Sequence, residues 1–207
     1  MERNDYWFIV GSGPSVNDLD LSRLHKHLDK VIVVNNSYKL LPDAGYLYWG
    51  DVEWFDKNRD VCLRDYKGPH RYTSLLPDKQ HMRKEYENLG ITVVGRTRNR
   101  STNDHSGLEM KAPNVRGACS GQQAMNLAYH LGARKIVLVG IDMKNGKTSH
   151  FDRHDPTVQP YIYDLVMVPA FNKGIEALVT VGAKIYKASP QYPFPAAAYF
   201  DLSSWVE

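Results

Sequence analysis

The chain has 207 residues, of which 43% are hydrophobic and 24% are charged, and these proportions are typical of soluble globular proteins rather than of disordered, collagen-like or coiled-coil chains. No apolar run approaches the roughly 18–20 residues of a membrane-spanning helix, and the net charge of +3 does not indicate nucleic-acid binding without a clustered basic patch. Because domains run at about 100–200 residues, we predict a single domain over residues 1–207.

The cysteines and the first residues bear on the cellular compartment. Cys62 and Cys119 are the only cysteines of the sequence, which is too few for a disulfide framework. The first five residues are polar and lack the apolar core of a secretory signal. We therefore expect a reduced, cytoplasmic protein.

Short apolar runs predict strands, and runs without polar alternation are typical of strands that are buried on both faces. Helical segments alternate with these strands. We therefore predict an α/β fold: a single Rossmann-like, doubly wound and mostly parallel sheet with helices on both faces. The predicted strands are 6–10, 31–34, 46–49, 91–94, 135–139 and 184–186.

Three segments between those strands carry helical signals. Leucines at positions 19, 21, 24 and 28 roughly keep helical spacing. In the second segment Ser120 is a candidate N-cap, Gln123 follows three positions later as in a capping box, and Gly132 is the expected stop. A third helix is predicted over 169–181, with Pro169 in its first turn.

Two polar stretches, near residues 95–117 and 143–160, are predicted to be long loops. Long loops in compact domains are usually functional or mobile. Both follow predicted strands, so parallel strands would bring both loops to the same edge of the sheet. Open α/β sheets bind ligands at that edge, and we place the candidate site there.

The sharpest local signal is a glycine-rich turn directly after the first strand. Two closely spaced glycines let the backbone approach a ligand, and exposed amides suit a phosphate, so we predict contact with a nucleotide; a plain tight turn is the alternative. A valine replaces the third glycine of the dinucleotide fingerprint and no Walker A lysine follows, which disfavours a hydride-transfer enzyme and a P-loop ATPase. The residues of this segment, called the glycine turn below, are Gly11, Ser12, Gly13, Pro14 and Ser15.

Polar residues also follow the second and third strands. Asn35 and Asn36 end the second strand, where they are candidates to bond a base or a sugar edge, with turn chemistry as the alternative. Gly50 and Asp51 follow the third strand in the same way. We count all four as candidate ligand contacts.

A helix start and an acidic residue complete the motifs. Ser120 and Gly121 open the second helix, whose N-terminus offers amides to an anion as well as a cap. Cys119, just before them, is expected to be a buried, inert thiol rather than a nucleophile. Asp142 follows the strand 135–139, where it can bind a sugar hydroxyl or a metal or act as a base, and a loop cap is its alternative role.

Basic residues of the two predicted loops are further candidates for catalysis or for binding an anion. His150 and His154 are each a candidate base, although a solvated histidine is the ordinary alternative, and their spacing is too weak a signal to predict a metal site. Arg96, Arg98 and Arg100 form the densest basic patch. It is predicted to be a solvated loop, with an anion-binding loop for an acidic substrate or a nucleic-acid backbone as the alternative.

Three strings, in order, carry a resemblance to known proteins. FIVGSGPSVNDLDLSRL, VIVVNNSY and ACSGQQAMNLAYHLGARKIVLVGIDM resemble the bacterial sialyltransferases of glycosyltransferase family 42 and the related DUF115 group, which includes archaeal-type 6-hydroxymethyl-dihydropterin diphosphokinases. The resemblance covers roughly residues 6–55 and 117–190. It implies a Rossmann-like domain that binds a cytidine nucleotide sugar without a DxD metal motif and transfers the sugar with inversion.

The resemblance also implies roles for individual residues. Two positions depart from the family: residues 166–170, where the catalytic histidine aligns, contain no histidine, and Lys144 replaces a tyrosine. His150 or His154 would then supply the base, and Lys144 would neutralise the leaving phosphate. The implied contacts are Gly11, Gly13, Pro14 and Ser15 with the phosphate and ribose, Asn35 with the donor, Ser120 and Gly121 with the nucleotide, and Asp142 with its base or ribose.

We therefore expect a glycosyltransferase-like enzyme that moves a sugar from a nucleotide-activated, CMP-type donor to a polyhydroxyl acceptor such as a surface glycan. One alternative is a Mg²⁺-dependent, pterin-type diphosphokinase with Asp51 and Asp142 as metal ligands. Another is a nucleotide-binding module without catalysis. No resident cofactor is firmly implied, and homo-oligomerisation stays open.

Overall fold

The computed structural model describes residues 5–98, 104–143, 150–152 and 160–205. In these residues nine strands, all parallel, form one sheet. The α/β fold class predicted from the sequence is confirmed. The strands are β1 (Tyr6–Val10), β2 (Val31–Val34), β3 (Tyr46–Trp49), β4 (His70–Leu75), β5 (Thr92–Thr97), β6 (Val115–Arg116), β7 (Lys135–Val139), β8 (Lys184–Lys187) and β9 (Ala198–Tyr199).

The order of the strands fixes where a ligand site can form. Across the sheet the order is β6-β5-β4-β3-β2-β1-β7-β8-β9. The chain therefore builds outward from β1 on one side as far as β6, and then returns to add β7 on the other side of β1. The order reverses between β1 and β7, and in open α/β sheets the crevice outside the carboxyl ends of the strands at such a point binds ligands.

Helices cover both faces of the sheet. Neighbouring residues of a strand point to opposite faces, so Phe8 and Val10 belong to one core cluster, and Trp7 and Ile9 to the other. The helices are α1 (Val52–Asp65), α2 (Arg83–Asn88), α3 (Ser120–His130), α4 (Pro160–Ile162) and α5 (Val168–Thr180), with a π-helical segment at Tyr163–Met167 and 3-10 helices at Pro14–Asp18, Leu21–Lys30, Asn35–Lys39 and Pro77–Met82.

The two core clusters identify the covering helices. The cluster of Phe8 includes Phe55 of α1 and Tyr86 of α2, whereas the cluster of Trp7 includes Leu127 of α3 and Phe171 of α5. Among the described helices, none has both the length and the apolar character that crossing a bilayer requires.

Strands that are continuous apolar runs were predictable, and polar strands were not. The bounds of β1, β2, β3 and β7 agree with the prediction, and β5 runs on to Thr97. Strands β4, β6 and β9 lack such a run and were not predicted. In β4 the buried residues include Thr73 and Ser74. The hydroxyl of Thr73 donates to the carbonyl of Trp49 at 2.9 Å, which allows a polar residue inside the sheet.

Two helical predictions were wrong in detail. The segment of regularly spaced leucines is a 3-10 helix, and His27 interrupts it with non-helical angles. The N-cap of α3 is Cys119, and Ser120 is the first residue of the helix. The hydroxyl of Ser120 instead accepts a hydrogen bond from the amide of Gly50 at 3.1 Å. This serine therefore ties α3 to the end of β3 rather than capping its own helix.

Removal of one buried hydroxyl tests how the chain is held at the amino ends of β3 and β4. The hydroxyl of Tyr66, directly after α1, lies 2.8 Å from the carbonyl oxygen of Ala44 and 3.0 Å from that of His70. We expect Tyr66→Phe to lower the free energy of unfolding by about 1–2 kcal/mol, because it leaves buried carbonyls without their donor. Urea denaturation measures the change, and Tyr199→Phe, at an exposed tyrosine, should change nothing. Equal stability of the two variants would contradict the expectation.

Candidate functional site

A cleft of about 640 Å³ opens at the carboxyl ends of the strands, beside the reversal between β1 and β7. This volume lies within the range of roughly 300–1,000 Å³ that is typical of small-molecule sites. The segments that the sequence analysis selected at separate strand ends meet here. The predicted residues that line the cleft are Gly11, Ser12, Gly13, Asn35, Asn36, Gly50, Asp51, Arg96, Ser120, Gly121, Asp142 and His150.

Other predicted residues lie elsewhere. Pro14 and Ser15 begin the first 3-10 helix and are not part of the lining of the cleft, although Ser15 contacts Asp142. Arg98 lines a smaller cavity. Three candidates, Lys144, His154 and Arg100, lie outside the described residues.

The glycine turn packs tightly against the end of β7. The amide of Gly11 donates to the carbonyl of Val139, and the amide of Gly13 to the carbonyl of Gly140, both at 2.8 Å. A Cβ atom on Gly13 would overlap Oδ2 of Asp142 and lie 2.7 Å from the carbonyl oxygen of Gly140. The two glycine amides thus bind protein acceptors, and the glycines allow a close approach between the two segments that flank the reversal.

A chain of hydrogen bonds orients Asp142. The hydroxyl of Ser15 donates to Oδ2 of Asp142 at 2.9 Å, and the amide of Ser15 lies 3.3 Å from the same oxygen. Because Ser15 uses its one hydroxyl proton there, the hydroxyl of Tyr192, 2.7 Å away, donates to Ser15. Tyr192 in turn accepts from the amide of Gly140 at 2.7 Å. Burial raises the pKa of Tyr192, so it stays neutral and the chain keeps this direction near neutral pH.

Residues 150–152 dock onto the turns that follow β1 and β2. Nδ1 of His150 lies 2.9 Å from the hydroxyl of Ser12, and the amide of Phe151 donates to the carbonyl of Ser12 at 2.7 Å. The carboxylate of Asp152 accepts from Asn36 and from Lys39, each at 2.9 Å. A histidine in a cleft with one ring nitrogen held by a hydroxyl is a suitable general base.

The two asparagines after β2 have different environments. The side chain of Asn36 is engaged at both ends, because Nε1 of Trp54 donates to its oxygen at 2.9 Å and its nitrogen donates to Asp152. Asn35 has a positive φ of 52°, and its Oδ1 is buried without a partner among the described residues. Buried polar atoms are normally paired, so Asn35 is the asparagine with capacity for a ligand.

The opposite wall combines the start of α3 with Arg96. The guanidinium of Arg96 donates to the carbonyls of Gly50 and Gly117 at 3.3 and 3.4 Å. Burial lowers the pKa of Arg96, but an arginine remains charged under ordinary conditions. Beside it, burial raises the pKa of the Cys119 thiol to about 11, so this thiol is protonated at neutral pH and is a poor nucleophile.

Asp51 lies at the same end of the sheet, and its side chain caps a helix. Its side chain accepts a hydrogen bond from the amide of Glu53 at 2.9 Å, as the N-cap of α1. Within the described ranges, no three His, Cys, Asp or Glu side chains are grouped so as to hold a metal ion.

Several residues in or beside the cleft were not predicted as site residues. The hydroxyls of Tyr48 and Ser74 donate to Oε1 of Gln123 at 2.8 and 2.9 Å, and Nε2 of Gln123 donates to the carbonyl of Gly117 at 2.9 Å, which fixes the segment before α3. Met167 lines the cleft and lies in the segment 166–170 where the resemblance places a histidine. The other unpredicted lining residues include Lys79 and Tyr163.

Comparisons with known proteins add no relative to this description. A scan against protein-family models finds no match, and searches of the curated proteins and of the solved structures find no match either.

Proposed function

We propose that the chain is a glycosyltransferase-like enzyme, which binds a nucleotide-activated sugar in the cleft and transfers the sugar to a hydroxyl group of a glycan-type acceptor. One observation carries the proposal: a single cleft at the reversal of the sheet brings together three kinds of group. They are an oxygen of Asn35 with no partner in the described part of the chain, the cation of Arg96, and the pair of Ser12 and His150. These groups suit a base or sugar edge, a phosphate and a proton, respectively.

The chemistry assigned to this cleft is a displacement at the anomeric carbon. The acceptor oxygen forms a bond to that carbon while the bond from the carbon to the phosphate oxygen breaks, and the nucleotide leaves with the electron pair. His150 takes the proton of the acceptor hydroxyl. Arg96 and the amides at the start of α3 stabilise the negative charge of the leaving phosphate. Asp142, held by Ser15, contacts the ribose or the base.

Thermal denaturation in the presence of nucleotides tests the binding step. Cytidine, uridine, guanosine and adenosine mono- and diphosphates are compared, together with ATP and Mg²⁺, to which the alternative diphosphokinase would respond. A nucleotide at a hundred times its dissociation constant adds about 2.7 kcal/mol to the stability, which raises the melting temperature. If no nucleotide raises it, the proposal fails. The responding base then selects the nucleotide sugars, and mass spectrometry detects hydrolysis or transfer.

A substitution at Asn35 separates binding from folding. We expect Asn35→Gly to weaken the binding of the responding nucleotide about tenfold, since one hydrogen bond to the buried oxygen is lost. Glycine accepts the positive φ at this position without strain, so the stability of the unliganded protein should not fall. Isothermal titration and urea denaturation measure the two quantities, and Asn88→Gly, on the surface of α2, is the control. Unchanged affinity would remove Asn35 from the site.

A further inference from the structure

A second, smaller cavity adjoins the cleft and shares one side chain with it. This cavity of about 400 Å³ is lined by Pro77, Asp78, Arg96, Thr97 and Arg98. Arg96 also lines the larger cleft, so the carboxyl end of β5 separates the two spaces. A substrate that extends out of the cleft past Arg96 therefore enters the smaller cavity.

Arg96 lacks an acidic partner in the part of the chain that the structure describes. No described carboxylate lies within ion-pair distance of Arg96, and the charge of Asp51 acts on it only from farther away. Its two hydrogen bonds to the carbonyls of Gly50 and Gly117 are long, at 3.3 and 3.4 Å. Its Nε atom is buried and has no hydrogen-bond partner among the described residues. A desolvated cation without a counterion is unfavourable, and an anionic ligand would compensate it.

Positive charge accumulates around the smaller cavity. Burial lowers the pKa of the nearby His105, and the positive charges of Arg96, Arg98 and Arg116 lower it further, against the opposing effect of Asp104. The lining of the smaller cavity includes two arginines and one acidic residue, Asp78. The cavity therefore favours an anion over a neutral or cationic group.

The two arginines are placed to act together. Arg96 lies near the end of β5, and Arg98 follows directly after the strand. Both side chains line the smaller cavity. A planar guanidinium pairs with the oxygens of a phosphate or a carboxylate.

We propose that Arg98 forms a second anion subsite together with Arg96, which lines both spaces and also contacts the leaving phosphate in the cleft. The subsite takes a phosphate or carboxylate group of a substrate that reaches out of the nucleotide cleft. This inference rests on the proposed function for the place of that substrate. Two substrates can carry the group: a donor with a second phosphate, or an acceptor with an acidic sugar. A nucleic-acid backbone is less suited, because only Arg98 of the two arginines is exposed.

The experiment compares matched charged and less charged ligands. Isothermal titration at low ionic strength measures the binding of CDP against CMP, and of sialyllactose against lactose, to the protein and to Arg98→Gln. Arg98 is exposed and lines only the smaller cavity, so its substitution should leave the fold intact. We expect the more charged member of one pair to bind about tenfold more tightly, and this preference to fall below about threefold in the variant.

The pair that responds identifies the source of the anion. Preference for CDP assigns the subsite to the donor, and preference for sialyllactose assigns it to the acceptor. The proposal is overturned if neither pair shows a preference, if the preference survives Arg98→Gln, or if a ten-residue oligothymidylate binds more tightly than both charged ligands. Arg64→Gln, at an exposed arginine of α1 that lines neither cavity, is the matched control.

The two proposals fail separately. Binding of CMP, UMP, GMP and AMP by the unaltered protein reports on the nucleotide cleft, so the failure of all four counts against the proposed function. The comparison of sialyllactose with lactose contains no nucleotide. It tests the anion subsite even when the cleft binds none of these compounds.

Discussion

Alanine in place of Gly13 is expected to destabilise the protein by about 2–3 kcal/mol and to weaken nucleotide binding by more than about tenfold. The backbone at Gly13 is extended, with φ at −65°, so the cost comes from contact rather than from conformation. The new Cβ would overlap Oδ2 of Asp142 and press on the carbonyl of Gly140. Either β7 moves away from the glycine turn or Asp142 leaves Ser15, and both changes disturb the cleft.

A second glycine provides the matched control for Gly13→Ala. Gly90 has a φ of +73°, and no atom lies within 4 Å of the position of its Cβ. Gly90→Ala should therefore cost about 1–2 kcal/mol through backbone strain alone and leave nucleotide binding unchanged. Urea denaturation and isothermal titration on both variants separate the two effects. Normal nucleotide affinity in Gly13→Ala would show that the contact between the glycine turn and Asp142 is not needed by the site.

Replacement of His150 by alanine is expected to reduce turnover by about 10²–10⁴-fold, which is the usual contribution of a general base. The affinity for the nucleotide should stay within about twofold, because the assigned role of His150 is with the proton of the acceptor rather than with the donor. A protein that only binds nucleotides would show the same retained affinity but no turnover to lose.

The measurement is single-turnover transfer from the donor that the nucleotide screen selects, followed by mass spectrometry. His25→Ala, at an exposed histidine of the Leu21–Lys30 helix, is the control and should transfer at the normal rate. Full turnover in His150→Ala would move the role of base to another residue, and His154→Ala is then the next variant.

The sequence could locate the site because strand ends and parallel topology are local and regular features. Apolar runs define β1, β2, β3 and β7, and the polar residues after each run must meet at one edge once the strands are parallel. The side-chain pairs across that edge could not be predicted. Ser120 is read locally as a cap, yet it bonds to Gly50, which is seventy residues away in the chain. Tyr192 carries no motif at all, and only the folded chain brings it to Gly140.

Because of Tyr192, the site also depends on a segment that follows eight of the nine strands in the chain. It lies between β8 and β9, and its hydroxyl joins the amide of Gly140 to Ser15 across the reversal. Proteolytic cleavage after Lys187 would leave β1 to β8 on the retained fragment but would remove this bridge. The same cleavage would also remove Phe194 and Phe200 from the two core clusters. A protein shortened at this point would therefore lose part of its core together with the orientation of Asp142.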